Sequence, residues 1–274
     1  MDLFNLQGKV ALIFGGNGYL GKHFCEALLA YNAKVYCCDM NTDESSETKR
    51  LKDMYKERFE MVKVNAADKE DLIKLREYIL SKEKTVDVLV NSTSAKSDDF
   101  YLPFEDISPD SWNIGLLGNL TIPFLTIQAF IPVMKKQRSG SIINISSIYG
   151  IVGNDQRIYI GSNLNEIYVK KSPELKRIYS HGSYNAAKGG LNIFTRYLAA
   201  YYGEFNIRVN CISPGGVYYE KESKDFVKKY SEKVPLGRKA NIDDMNGALV
   251  YLASNSSSYV TGHNLVVDGG FTIW

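Results

Sequence analysis

The segment VALIFGGNGYLG, Val10–Gly21, decides the fold. Five apolar residues read as a buried strand, the glycines interrupt it with a tight turn, and a helical pattern opens near Leu20. Gly16, Gly18 and Gly21 carry the G-x-G-x-x-G spacing of a dinucleotide fingerprint where that motif belongs, between a strand and a helix. Glycines there let backbone N–H groups approach a pyrophosphate at the positive end of the helix dipole. A glycine-rich string is weak by itself. The second apolar run strengthens it by ending on Asp39, 18 positions after Gly21, where a carboxylate accepts hydrogen bonds from the adenine ribose. A carboxylate also repels a 2′-phosphate, and no Arg or Lys stands at Asn17, Gly18 or Met40 to compensate. The reading therefore favours NAD(H) as cofactor and leaves NADP(H) open.

Outward from this turn, short β-branched runs at Lys9–Phe14, Lys34–Cys38, Phe59–Val64, Val86–Val90, Ser141–Ile145, Ile207–Ile212 and Asn264–Val267 alternate with amphipathic helical stretches. That rhythm predicts an α/β fold, a Rossmann-type doubly wound parallel sheet of about seven strands with helices on both faces. No repeat or linker divides the 274 residues, and 45% hydrophobic content suits a single domain with a full core. The net charge of +2 singles out no nucleic-acid partner, and none is expected. No stretch approaches the roughly 18–20 apolar residues of a membrane span. The start MDLFNLQGKVALIFGG lacks the basic region and cleavage site of a signal peptide, so a cytoplasmic protein without a membrane partner is expected. Cys25, Cys37, Cys38 and Cys211 have no metal-ligand spacing; they read as buried free thiols, and no metal site is expected.

The reactive chemistry is written in SYNAAKGGL, Ser183–Leu191. Tyr184 and Lys188 are four apart and share one helix face, with Cβ atoms about 5–6 Å apart. An ammonium beside a phenol favours the phenolate and lowers the tyrosine pKa from about 10. A phenol tuned in this way passes a proton to or from a carbonyl or alcohol oxygen. In a chain with 19 tyrosines the same spacing also arises on solvated helix faces, so the context decides.

That context is a series of motifs in a fixed order: the glycine turn, the acidic end of the second strand, VDVLVNS at 86–92, Asn119 in NLTIPF, IINISS at 142–147, YNAAK, NIRVNCISPGGV at 206–217 and SSYVTGHNLVVDGG at 257–270. In this order they resemble the short-chain dehydrogenase/reductase family over essentially the whole chain. The resemblance implies hydride transfer between a nicotinamide cofactor and a carbonyl or secondary alcohol. It implies that Tyr184 is the general acid/base, and that Lys188 holds the nicotinamide ribose while lowering the Tyr184 pKa. Ser147 would hydrogen-bond the substrate oxygen, and Asn119 would anchor a water linking Lys188 to solvent. Cofactor contacts are implied at Gly15, Asn17, Gly18, Tyr19, Leu20, Gly21, Asp39, Met40, Asn65, Ala66, Asn91, Ser92, Tyr184, Lys188, Pro214, Gly215 and Val217. It also implies a homodimer or homotetramer through the helices around 106–136 and 183–203 and the C-terminal strand, with the ending FTIW at 271–274 buried in such a contact.

The chain departs from the family pattern at several places. Phe14 replaces a usual Thr, Tyr19 a glycine, Asn65 an Asp, NSTS at 91–94 the usual Asn-Asn-Ala-Gly, and Tyr219 a Thr. The 37 positions from Ser147 to Tyr184 exceed the family's separation, with the excess at about 154–181. An insertion there is expected to wall the substrate pocket or reach a neighbouring subunit. Arg157, Lys170, Lys171, Lys176 and Arg177 against Asp155, Glu166 and Glu174 leave it a net +2, which points to a polar or anionic substrate such as a sugar derivative, with Tyr159, Tyr168 and Tyr179 as contact faces. The alternative is a solvated surface excursion. Residues 216–237, following the pair Gly215–Gly216, read as a hinged lid.

Three functions remain open. The leading one is an oxidoreductase acting on a polar small molecule. The second is a 3-oxoacyl thioester reductase of lipid synthesis, with Lys135, Lys136 and Arg138 offering a carrier-protein contact. The third is a non-catalytic dinucleotide-binding regulatory protein, against which the intact Ser147, Tyr184 and Lys188 speak.

Overall fold

In the computed structural model, which describes residues 3–169, 175 and 177–274, the expected strands all appear with ends moved by no more than two residues. They are β1 (Val10–Phe14), β2 (Lys34–Asp39), β3 (Phe59–Lys63), β4 (Val88–Asn91), β5 (Gly140–Ile145), β6 (Ile207–Pro214) and β7 (Asn264–Val267). All pair in parallel, in the order β3-β2-β1-β4-β5-β6-β7. The start of β4 and the end of β6 move furthest, by two residues each, and the first has a local cause. Gln137 exchanges two side-chain hydrogen bonds of 2.9 Å with the backbone of Val86, which removes that residue from the ladder.

The helices are α1 (Tyr19–Ala30), α2 (Ser46–Tyr55), α3 (Lys69–Lys82), α4 (Pro109–Leu116), α5 (Ile122–Gln137), α6 (Leu164–Tyr168), α7 (Gly182–Tyr202), α8 (Lys224–Ser231) and α9 (Asn246–Ala253). Strand residues alternate between two apolar clusters, as a sheet covered on both faces requires. Ala11 and Ile13 pack with Phe24 and Leu28 of α1 and Leu249 of α9. Leu12 and Phe14 pack with Ile127 and Phe130 of α5 and Leu198 of α7. A third cluster, which includes Ile158, Leu164, Phe226, Tyr230 and Phe271, joins the segment after β5 to the segment after β6.

A π turn at Leu117–Thr121 links α4 to α5 into one helical run, Pro109–Gln137, of 29 residues. One 18-residue window within it has a mean hydropathy of 1.7, so the run is long and apolar enough to cross a membrane by length and composition alone, where no stretch was expected to come close. Half of the apolar window is buried in the fold, where Ile127, Phe130 and Met134 serve the core.

Strand order reverses between β1 and β4, and ligands of open α/β sheets bind at the carboxyl ends of strands at such a point. The loops leaving these two strands touch. Ser92 N donates to Phe14 O at 2.9 Å, and Gly15 adopts φ +74°, where an added Cβ would lie 2.6 Å from Ser92 O.

Candidate active site

A cleft of about 760 Å³ opens at this switch point. One end is set by Asp39, whose Oδ2 accepts from Asn17 N and whose Oδ1 accepts from Asn41 N, both at 3.0 Å. Main-chain donors thus fix the carboxylate, while each oxygen keeps acceptor capacity for a ligand hydroxyl. Met40, Asn65 and Ala66 line the wall beside it. Among the described residues no Arg or Lys joins them; the neighbouring Lys22 pairs with Glu47 at 3.5 Å.

Between Asp39 and the centre of the cleft lies the start of α1. Its N-cap, Gly18, offers no side-chain cap, and its first turn holds no acid. By contrast α2, α3, α4 and α8 are capped by Ser45, Asp68, Ser108 and Ser223. The first N–H groups of α1 are left to an anion in the cleft. Gly21 permits this approach from behind, since a Cβ there would run into Gly15 O. These features fit a dinucleotide: an anion cradle at the turn and a carboxylate at the ribose end.

At the other end Ser147, Tyr184 and Lys188 face the cleft together. Ser147 follows β5, and its hydroxyl accepts from Tyr149 N at 3.1 Å. Tyr184 stands in the first turn of α7, and Lys188 one turn further on. The Lys188 side chain is nearly inaccessible; its Nζ donates to Ile145 O at 2.7 Å and lies 5.7 Å from the centre of the Tyr184 ring. Burial brings the Lys188 pKa down to about 8. Burial also pushes the Tyr184 phenol up, with the Ser147 hydroxyl opposing. The expected lowering of Tyr184 by Lys188 is therefore corrected: loss of hydration outweighs a cation that is itself directed at the Ile145 carbonyl.

Asn119 lies within the π turn, behind Gly118 of the cleft wall, and is fully buried. Its Nδ2 donates to Gly115 O at 2.9 Å, and its Oδ1 has no partner among the described residues. A buried acceptor of this kind is suited to an ordered water, and single π turns recur at functional sites.

The cleft continues into a cavity of about 240 Å³ that shares Ser94, Lys96, Ser147, Tyr168, Tyr184, Gly215 and Val217 with it. The long segment before α7 supplies Tyr159, Leu164, Tyr168 and Ser180, and the segment after β6 supplies Gly216, Glu222, Phe226 and Tyr230. The insertion thus walls the cavity, but with aromatic surface rather than charge. Arg157 is exposed and bound to Asp155 at 2.8 Å, and Arg177 lies over Tyr179 at 4.8 Å; none of these lines the cavity. Lys170, Lys171, Glu174 and Lys176 lie outside the described residues.

In the pair Gly215–Gly216 neither residue has a positive φ. A Cβ on Gly215 would lie 2.9 Å from Asp268 Cα, and one on Gly216 2.6 Å from the Tyr230 ring, so close packing by itself requires both glycines. The segment is further fastened by Lys239, whose Nζ donates to Glu222 at 2.6 Å beneath the rings of Phe226 and Tyr230.

Two departures from the family pattern meet in space. The Tyr19 hydroxyl donates to Tyr218 O at 2.7 Å, and its ring meets that of Tyr219 edge-on at 5.2 Å, tying the glycine turn to the segment after β6. One expected contact is not at the cleft. Asn91 is buried in the core, donating to Asn144 Oδ1 at 2.9 Å and accepting from Thr126 Oγ1 at 2.7 Å. The other cofactor positions named from the sequence all line the cleft. Thr93 and Ser94, part of the departure at 91–94, line it too, and so do Ala95 and Lys96, which were not anticipated although their position just after β4 at the switch point was a usable signal.

Residues 9–162 match the family described as short chain dehydrogenase, and residues 169–272 match the one described as enoyl-(acyl carrier protein) reductase. A sorbose reductase of Candida albicans is 30% identical, the alignment covering 99% of this chain and 90% of the relative. A trans-4-hydroxycyclohexanecarboxylate dehydrogenase of Sinomonas cyclohexanicum is 31% identical, covering 96% and 93%. Among solved structures, a short chain dehydrogenase of Leptospira borgpetersenii with bound NAD+ superposes with a TM-score of 0.83 at 33% identity, covering 98% of this chain and 94% of that one.

Proposed function

The chain belongs to the short-chain dehydrogenase/reductase family, NAD(P)-dependent oxidoreductases of CH–OH and C=O groups, and from that premise we propose that it acts with NAD(H) on a polar small molecule. The observation that carries this reading is that Ser147, Tyr184 and Lys188 line one cleft with Asp39 and the uncapped start of α1, Ser147 and Tyr184 bordering the small cavity as well. When bound, the nicotinamide supplies or accepts the hydride. Ser147 and Tyr184 hold the substrate oxygen. In reduction the Tyr184 phenol gives that oxygen its proton, and in oxidation the phenolate takes it back. Lys188 engages the cofactor ribose and passes protons toward Asn119 and its water. Preference for NAD(H) is supported by the fixed Asp39 carboxylate and the lack of a described cation beside it.

A polar substrate is supported by the serine, tyrosine and charged side chains of the cavity and by relatives named for a sugar and for a hydroxy acid. The thioester reading keeps two supports, the description of the family matching residues 169–272 and several relatives named 3-oxoacyl-(acyl-carrier-protein) reductase, 27–29% identical over 97–99% of this chain. Its carrier contact is weakened because Lys135 and Arg138 are engaged at the far end of α5, over the Phe205 ring at 4.4 Å and on Glu204 O at 2.8 Å. Exposed Phe124, Ile193, Tyr197 and Tyr201 on α5 and α7 support a homodimer or homotetramer, and four buried free thiols suit the cytoplasm.

Nicotinamide absorbance with NAD(H) and NADP(H) against keto-sugars, polyols, hydroxy acids and 3-oxoacyl thioesters tests the proposal. NADPH-specific turnover of thioesters alone would overturn cofactor and substrate together. Tyr184→Phe is expected to lose about 100-fold or more in turnover; a variant with most of its activity would refute the assigned proton transfer.

A further inference from the structure

We propose that Lys96 seats a carboxylate of the substrate, so that the natural substrate is a hydroxy or oxo acid; this deepens the oxidoreductase reading and rests on it. Among the described residues three lysines and no arginine line the cleft and its cavity. Lys239 is committed to Glu222, the only carboxylate in the described cavity wall. Lys188 is committed to the Ile145 carbonyl and to the reaction centre. Lys96 is left over. Among the described residues it has no carboxylate within 4.0 Å, and it borders both the cleft and the cavity beside Ser147 and Tyr184.

What holds Lys96 there is aromatic. Its Nζ lies 4.4 Å from the centre of the Tyr168 ring and 5.8 Å from that of Phe100. A cation over a ring face is positioned without being neutralised. Solvent reaches the side chain through the open cleft, yet the walls desolvate the ammonium enough to bring its pKa down to about 8. An anion placed against it would restore the charged form. Lys96 borders the cleft and the cavity together with Ser147 and Tyr184, which sets that anion near the reacting carbon. A single ammonium balances the one charge of a carboxylate, whereas a doubly charged phosphate would leave a negative charge uncompensated among the aromatic faces.

The test compares hydroxy acids, linear and cyclic, with their methyl esters, and sugar phosphates with the free sugars, using NAD(H). The wild type is expected to favour acid over ester in kcat/KM. Lys96→Met is expected to cut that discrimination ratio about tenfold or more, and Lys96→Arg to restore part of it. A merely structural change would lower both members of a pair and leave the ratio alone. An unchanged ratio, a preference for esters, or turnover of sugar phosphates only would overturn the inference. So would cofactor binding with no acid turned over. Failure to bind either cofactor, with no turnover of anything, would instead overturn the oxidoreductase reading beneath it.

Discussion

Lys188 shows what the proposed reaction centre costs the fold. Its pKa is brought from 10.5 down to about 8 by burial, so the native state holds that proton less firmly than the unfolded chain does. The penalty is complete below about pH 8 and fades as the pH rises toward about 10.5, where the unfolded chain also releases the proton. Lys188→Met should therefore abolish turnover yet raise the melting temperature at pH 7 by a few degrees, at roughly 2–4 °C per kcal/mol. The gain should shrink between pH 8 and pH 10.5. Melting curves of both proteins across that range check it, and a gain independent of pH would contradict the burial argument. At this scale Tyr184, Ser147 and Asp39 were legible, because spacing, strand ends and motif order all point to them. Lys96 was not. Its neighbourhood departs from the family pattern at 91–94, and its partner Tyr168 is brought to it only by the fold.

Among the elements, α7 carries Tyr184 and Lys188 and begins in an unusual way. Its N-cap is His181, fully buried, whose Nδ1 accepts from Ser183 N at 3.1 Å. The ring proton then belongs to Nε2, which donates to Ser111 Oγ at 3.0 Å, and the ring stacks on Phe100 at 4.9 Å. Burial pushes the His181 pKa down, which keeps the ring neutral. His181→Ala is expected to cost about 1–3 kcal/mol in urea unfolding, and His181→Asn less, since Asn still caps. Equal losses in the two variants would mean that the cap contributes nothing. Strands could be read from their β-branched runs to within two residues, but this cap could not, because histidine is not among the usual capping residues. The insertion was legible in position only. In the sequence Tyr159, Tyr168 and Tyr179 look alike, yet only the first two turn toward the cavity.

Across the whole molecule, the pair Glu222–Lys239 joins the segment after β6 to the chain beyond α8, with both side chains 3% exposed. Removing one partner strands a buried charge. Glu222→Gln should therefore lose about 3–5 kcal/mol of stability, whereas Glu222→Gln combined with Lys239→Met should recover much of it. Urea titrations of the single and double variants distinguish this from a pair that solvent screens, for which both changes would be small. The parallel sheet carries a further consequence, for synthesis. The centre of the sheet couples distant stretches of chain: Val10 N donates to Asp87 Oδ2 at 3.0 Å across 77 residues, and β1 lacks one of its two neighbours until β4 has been made. The glycine turn and Asp39 emerge from the ribosome well before Tyr184 and the cavity walls do. Until β4 follows, the bare edge of β1 is the surface that a chaperone, or a second unfinished chain, meets.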